Sequence, residues 1–220
     1  MGWALIAVIV ALGAATLWVV ARFDAQRTAA WRRVADELGY EFVDRVPTAE
    51  LPGADILKAF DRGRWMGARN VLKGVEGPAR VTLCDYRYSI GSARNTNSDH
   101  VTLCLVETPE IDVPTCYARP QMVPFFDAIG KLVGRQNIEF EDGHAFSGAY
   151  VLEGTDEDAV RELFSAAVRR FFVKHKSKRW VFEGAGRALC LSYAGRTEPH
   201  QATSLVADAL EILEALRTRG

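Results

Sequence analysis

In Val81-Thr82-Leu83-Cys84-Asp85, strand alternation puts a carboxylate in the same row as Val81 and Leu83. A carboxylate buried in such a row needs a cation such as Arg87, or a ligand group, beside it. The expectation for Asp85 is the plainer one, an exposed strand end with an ordinary ion pair. Glu183, next to Gly184-Ala185-Gly186, carries the same expectation. That glycine pair lacks the third glycine and the following helix of a dinucleotide fingerprint. No GxxxxGK[ST] occurs, so nucleotide phosphates have no recognisable cradle and a hairpin turn is the better reading. His100, His144, His175 and His200 lie far apart in the chain, none in HExxH or at ligand spacing from a cysteine. Ser147, in Ala145-Phe146-Ser147-Gly148-Ala149, lacks the leading glycine of a GxSxG elbow and reads as part of a strand over Ala145 to Leu152. Neither a metal, nor a cofactor, nor a catalytic residue is implied.

One cluster has a plausible partner. Arg169, Arg170, Lys174, Lys176, Lys178 and Arg179, with His175, lie in a run from Ser165 to Phe182 that holds no acidic residue. Cations suit a helix C-terminus on dipole grounds, and such runs are commonly solvated faces. Held near anionic lipid, the same residues could gain about 1 kcal/mol for each that reaches the surface. An acidic protein partner is the other candidate. The formal charge of the whole chain is -1, which argues against a nucleic-acid-binding surface.

Positioning these side chains falls to a domain attached to an apolar N-terminus. From Gly2 to Ala21 no side chain is charged, and nine of the eighteen residues from Trp3 to Val20 are Leu, Ile or Val. Twenty helical residues reach about 30 Å, the thickness of a hydrocarbon core. Those nine contribute about -3 to -5 kcal/mol on the insertion scale. Trp3 and Trp18 stand where amphipathic rings meet headgroups, and Arg22 closes the run. A cleaved signal peptide would begin with a basic residue and end on small ones, unlike Trp18, Val19 and Val20. Residues 1–23 therefore read as a transmembrane anchor. Arg22, Arg27, Arg32 and Arg33 come directly after the span, so the positive-inside rule places the C-terminal side in the cytoplasm. Cys84, Cys104, Cys116 and Cys190, irregularly spaced in apolar runs, read as reduced core residues; a cross-strand Cys84–Cys104 pair stays open.

Residues 24–39 continue as a juxtamembrane helix, with Ala30, Trp31, Val34, Ala35 and Leu38 at helical spacing and Gly39 as its stop. Residues 40–220 read as a soluble α+β domain, with 40–122 and 123–220 as possible halves. A strand over Tyr40 to Val46 and a short helix over Ala49 to Phe60 lead to an antiparallel meander. Its strands are Arg69 to Val75, Arg80 to Ile90 and His100 to Glu107, with an exposed loop at Gly91 to Asp99. Thr115 to Pro120 adds a strand, Pro124 to Val133 a short helix, and Ile138 to Phe140 another strand. From Thr155-Asp156-Glu157-Asp158 a helix begins, with Val160, Leu163, Phe164, Ala167, Val168 and Phe171 as its apolar face. Trp180 to Glu183 and Arg187 to Tyr193 flank the glycine pair, and Pro199 opens a last helix burying Leu205, Ala209, Ile212, Leu213 and Leu216. The expected fold is a mainly antiparallel sheet with helices on one face, closing β-α-β-β-α.

An N-terminal span, Leu38-Gly39, Asp85-Tyr86, Phe146-Ser147 with Tyr150, Leu152 and Gly154 after it, and Trp180 to Gly184 before a closing helix together resemble an uncharacterised family of bacterial membrane-anchored proteins. The resemblance implies a bacterial inner-membrane location and no activity. Three readings of function are compatible with these residues. The first is a membrane-tethered, non-enzymatic interaction or scaffold module with a protein partner. The second is an enzyme whose site forms only in the fold. The third is an anionic-lipid sensor using the basic patch.

Overall fold

A computed structural model describes residues 2–61, 64–92, 95–121 and 137–218. The helix expected over Pro124 to Val133 lies outside them.

Helix α1 (Gly2–Leu38) runs unbroken from the apolar N-terminal stretch into the domain. No proline interrupts it, and Gly39, at φ 68°, ends it in the left-handed conformation that glycine adopts without strain. Of the fourteen large hydrophobic side chains exposed among the described residues, eleven lie between Trp3 and Phe23. Over those 21 residues, about 31 Å of helix, apolar side chains face outward on every side. This helix is long and apolar enough to cross a membrane. Beyond Phe23 one stripe turns inward: Arg27 is half-buried, Trp31, Val34 and Ala35 are buried, and Leu38 packs against the core.

Eight strands form one sheet in the order β1-β2-β3-β4-β8-β7-β5-β6, antiparallel throughout: β1 (Glu41–Val46), β2 (Arg64–Glu76), β3 (Ala79–Ser92), β4 (Asn95–Glu107), β5 (Val113–Pro120), β6 (Tyr150–Gly154), β7 (Trp180–Gly186) and β8 (Ala188–Tyr193). The β4–β8 pairing carries the sheet across the expected boundary near residue 122. On one face lie the inner stripe of α1, a short α2 (His144–Ser147), α3 (Glu157–Leu163), α4 (Ala166–Lys174) and α5 (Ala202–Arg217). The opposite face is covered by residues 48–60, whose Leu51, Leu57, Ala59 and Phe60 pack on Val71, Tyr86 and Leu105. The α+β class, the antiparallel sheet and the closing β-α-β-β-α order hold, the first closing helix being split in two.

Several local expectations are corrected. Residues 49–60 form isolated 3-10 turns, Thr48–Glu50 and Lys58–Phe60, rather than an α-helix. Gly91 to Asp99 is not a long loop: β3 and β4 keep pairing out to Ser92↔Asn95. The β7–β8 turn falls at Gly186-Arg187, with Gly186 at φ 53°, so Gly184 and Ala185 belong to the strand. Ala145 to Ser147 is helical, because the turn from Gly143 swings Phe146 into an aromatic cluster that a strand could not reach; the strand begins at Tyr150. Ile138 and Phe140 are buried as their apolarity demands, but among the described residues one backbone bond, Ile138 N–H to the Leu152 carbonyl, ties them to the sheet edge. Cys84 and Cys104 belong to the cores on opposite faces of the sheet, which rules out the cross-strand pair, and burial raises both thiol pKa values.

Candidate functional site

The sheet meets the inward stripe of α1 at Asp85. As alternation requires, Asp85 lies on the Val81 and Leu83 face, but it is 5% exposed, so the expected exposed strand end is wrong. What buries it is α1. Arg27 donates from Nε to Oδ2 and from Nη2 to Oδ1, each at 2.7 Å, a two-pronged pairing that suits the planar guanidinium. Arg27 Nη2 also donates to the Thr197 carbonyl at 2.7 Å. Trp31, one turn further along α1, donates its indole N–H to Oδ2 at 3.1 Å, and Thr102 on β4 gives its hydroxyl to Oδ1 at 3.0 Å. Arg196 Nη2 lies 3.6 Å from Oδ2. The expected partner, Arg87, is not the one that pairs; Arg27 and Arg196 are.

A further donor depends on an irregularity in β2. Between the pairs Arg69↔Asp85 and Leu72↔Leu83, two residues oppose one, a β-bulge with Asn70 at φ 50°. Asn is among the few residues that accept the left-handed region, and the bulge aims its amide at Asp85 Oδ2, 3.0 Å away. Asn70→Gly should keep the bulge and lose one buried hydrogen bond, about 1–2 kcal/mol. Asn70→Val adds the strain of a branched residue at positive φ and should cost about 1–3 kcal/mol more. Thermal melting in detergent should rank wild type, Gly and Val in that order.

Burial alone would raise the Asp85 pKa. The hydrogen bond and charge of Arg27, then the Asn70 bond and the Arg196 charge, outweigh it and hold the carboxyl below its ordinary value. A carboxylate so held is a poor general base and a good structural clasp.

Above the clasp opens a cleft of about 280 Å³, walled by Val20, Asp24 and Thr28 of α1 and by Arg69, Arg87, His100 and Arg196. Asp85 and His100 thus share a pocket. Burial first, then the charges of Arg196 and Arg87, lowers the His100 pKa. A larger groove of about 490 Å³, between β1–β3 and residues 49–53, lies toward the Arg80 end of β3, away from Asp85.

Two more buried carboxylates act as clasps. Glu183, 3% exposed, accepts the backbone N–H groups of Lys58 at 2.5 Å and Ala59 at 2.9 Å; it pins the 48–60 covering segment and is not at an exposed hairpin mouth. Asp208 on α5 accepts from Lys178 Nζ at 2.5 Å, the Trp180 indole at 2.9 Å and the Tyr193 hydroxyl at 2.8 Å. Nothing in local sequence pattern couples these carboxylates to donors up to 125 residues away.

The basic run is divided by the same economy of pairing. Arg169 is buried, lies over the Phe140 ring, and bonds to Asp142 at 2.8 Å and to the Phe164 carbonyl. Lys178 is held by Asp208. Arg170, Lys174, Lys176 and Arg179 are exposed. Of the residues expected to anchor the chain, Trp3 and Trp18 are exposed on the apolar helix, and the Arg22 guanidinium lies 5.4 Å from the Trp18 ring centroid. Ser147 sits in the α2 turn, and His175 stacks on Trp180 with ring centroids 5.2 Å apart. Among the described residues no group of three His, Cys, Asp or Glu side chains is placed to hold a metal ion.

No protein-family model and no curated protein matches this chain. Among solved structures, the crystal structure of the mycobacterial trehalose monomycolate transport factor A, TtfA, is similar, with a TM-score of 0.58 over 87% of this chain and 93% of that one. Sequence identity over the match is 12%, so what the two chains share is the fold.

Proposed function

We propose that this is a single-pass protein of the bacterial inner membrane whose cytoplasmic α+β domain is a non-enzymatic interaction module, clamped to its own anchor. The observation that carries the reading is the Arg27–Asp85 pairing. It joins an outward-apolar helix directly to the middle of the sheet, with no flexible linker between them. A domain held this way keeps one height and one orientation relative to the bilayer, which is what a scaffold needs and what an enzyme acting on a diffusing solute does not. The fold shared with a trehalose monomycolate transport factor supports a role beside membrane transport machinery.

Val10→Asp tests the anchor. An Asp at mid-membrane costs about 2.5–3.5 kcal/mol, most of the insertion energy, so the variant should move to the soluble fraction on alkaline carbonate washing while wild type stays with the membrane. Protease added outside whole cells should leave the domain intact; its digestion would reverse the proposed orientation. A protein partner should crosslink in native membranes to wild type and be lost from residues 24–220 alone.

The enzyme reading draws on the cleft shared by His100 and Asp85, but Asp85 is fully committed to Arg27, Trp31, Asn70 and Thr102. The lipid-sensing reading of the 169–179 patch rests on Arg170, Lys174, Lys176 and Arg179, its exposed members other than Lys178, which Asp208 holds.

A further inference from the structure

The cleft above Asp85 is the place where the charges of this domain and the end of its anchor coincide. Its mouth includes Val20, within the apolar stretch of α1, and Asp24, one turn on, just past the last of the outward apolar residues, Phe23. In an anchored chain those positions lie at the headgroup level. Four arginines line it, Arg27, Arg69, Arg87 and Arg196, against two carboxylates, Asp24 and Asp85. Asp85 is consumed by the two-pronged bond to Arg27. Arg69 meets Asp24 only at 3.7 Å, with 43% of its side chain exposed. Arg196 stands 3.6 Å from Asp85, beyond hydrogen-bond reach. Arg27 also meets Glu198 at 3.6 Å; the residues lining the cleft still hold more arginines than carboxylates, and the guanidinium groups of Arg69 and Arg196 stand beyond hydrogen-bond reach of theirs. Burial is the first cause of the lowered His100 pKa, and the charges of Arg196 and Arg87 add to it against those of Asp85 and Asp99. At about 280 Å³ the cleft lies just below the range of about 300–1,000 Å³ that encloses whole drug-sized ligands, so it suits a headgroup whose chains stay in the bilayer.

We propose that this cleft binds the phosphate group of an anionic membrane phospholipid, with Arg69, Arg87 and Arg196 as its donors. The site rests on the anchored reading above for its depth in the membrane, but its charge and shape do not. Phosphate recognition by converging guanidinium groups is what their planar forks favour, and each such residue near an anionic lipid is worth about fivefold in affinity. The proposal differs from the 169–179 patch in place and in residues.

The test uses the full chain in maltoside micelles, titrated with dioctanoyl phosphatidic acid and monitored by native mass spectrometry. We expect one lipid per chain, and dioctanoyl phosphatidylcholine at least about tenfold weaker because its choline would face the arginines. Arg87→Gln/Arg196→Gln should weaken phosphatidic acid about 10–30-fold, and Arg196→Gln alone about fivefold, which keeps the test open if the double variant does not fold. Arg170→Gln/Lys174→Gln/Lys176→Gln/Arg179→Gln should bind as wild type does. Undiminished binding by Arg196→Gln and the folded double variant, or loss confined to the four-residue variant, would overturn the cleft. Displacement of the lipid by equimolar inorganic phosphate would overturn the lipid as the source. Either failure, with carbonate-resistant membrane retention intact, would leave the anchored module standing.

Discussion

Arg27→Ala is expected to destabilise the domain by about 3–5 kcal/mol, because it leaves Asp85 buried and charged without its principal partner. Asp85→Ala should cost at least as much, since it strands the Trp31 indole, the Asn70 amide, the Thr102 hydroxyl and the Arg27 guanidinium together. The Arg27→Met/Asp85→Leu variant removes both charges and should recover part of the loss. A cycle of single and double variants should give a coupling of about 1.5–3 kcal/mol. The pH dependence gives a second check. Asp85 has a depressed pKa in the folded chain, so its contribution is complete above the unfolded value of about 3.9 and is lost as pH falls through the lower folded value. Arg27→Ala removes the largest downward influence and leaves burial to raise the carboxyl, so this variant suffers most at neutral pH. The gap between wild type and Arg27→Ala in melting temperature should be widest near pH 7 and should narrow below about pH 4. Equal gaps at pH 7 and pH 3.5 would mean that Asp85 is not the charge Arg27 serves.

That clasp shows how far the sequence could be read. Alternation placed Asp85 on the inner face correctly, because a strand has a strict period of two. It pointed to Arg87, a neighbour in the chain, since pattern sees only local partners; the true partner is 58 residues away on α1. Arg27 itself was legible only as one of four flanking cations. The feature that could have singled it out is its spacing: it stands four residues before Trp31, seven before Val34 and eight before Ala35, on the stripe that packs inward. The long apolar helix, the meander and the last helix were legible because each has a long run of one pattern. The Asn70 bulge and the 3-10 turns of residues 48–60 were not, since each depends on contacts made across the sheet rather than along the chain. The basic run was misleading for a related reason: charge counts do not record that Arg169 and Lys178 point at Asp142 and Asp208.

Phe172→Ala is expected to cost about 3–5 kcal/mol, and Phe171→Ala about 1–2 kcal/mol, an order that separates two ways of reading the same residues. A single helix begun at Thr155 keeps one phase from Val160 to Phe171, and on that phase Phe171 is a core residue and Phe172 is not. The chain instead breaks after Leu163: Phe164 leaves helical geometry, Ser165 is extended, and α4 starts anew at Ala166. Restarting the helix rotates the inward face, so Val168 and Phe172 are buried, Ala167 is exposed and Phe171 is only partly covered. Phe172 then becomes the centre of an aromatic cluster. Its ring centroid lies 5.5 Å from those of Tyr150, Phe164 and Trp180, 5.9 Å from Phe182 and 6.2 Å from Phe146. Truncation there opens a cavity that five surrounding aromatic rings cannot fill by rotating, because each is held by the others. Phe171 stacks on Trp180 and lies tilted against His175 at the rim, where water can replace part of what is lost. At about 2–4 °C per kcal/mol for a domain of this size, Phe172→Ala should lower the melting temperature by about 6–20 °C and Phe171→Ala by far less. The reverse order would restore the continuous helix and remove the physical basis for the two-helix layer over β7.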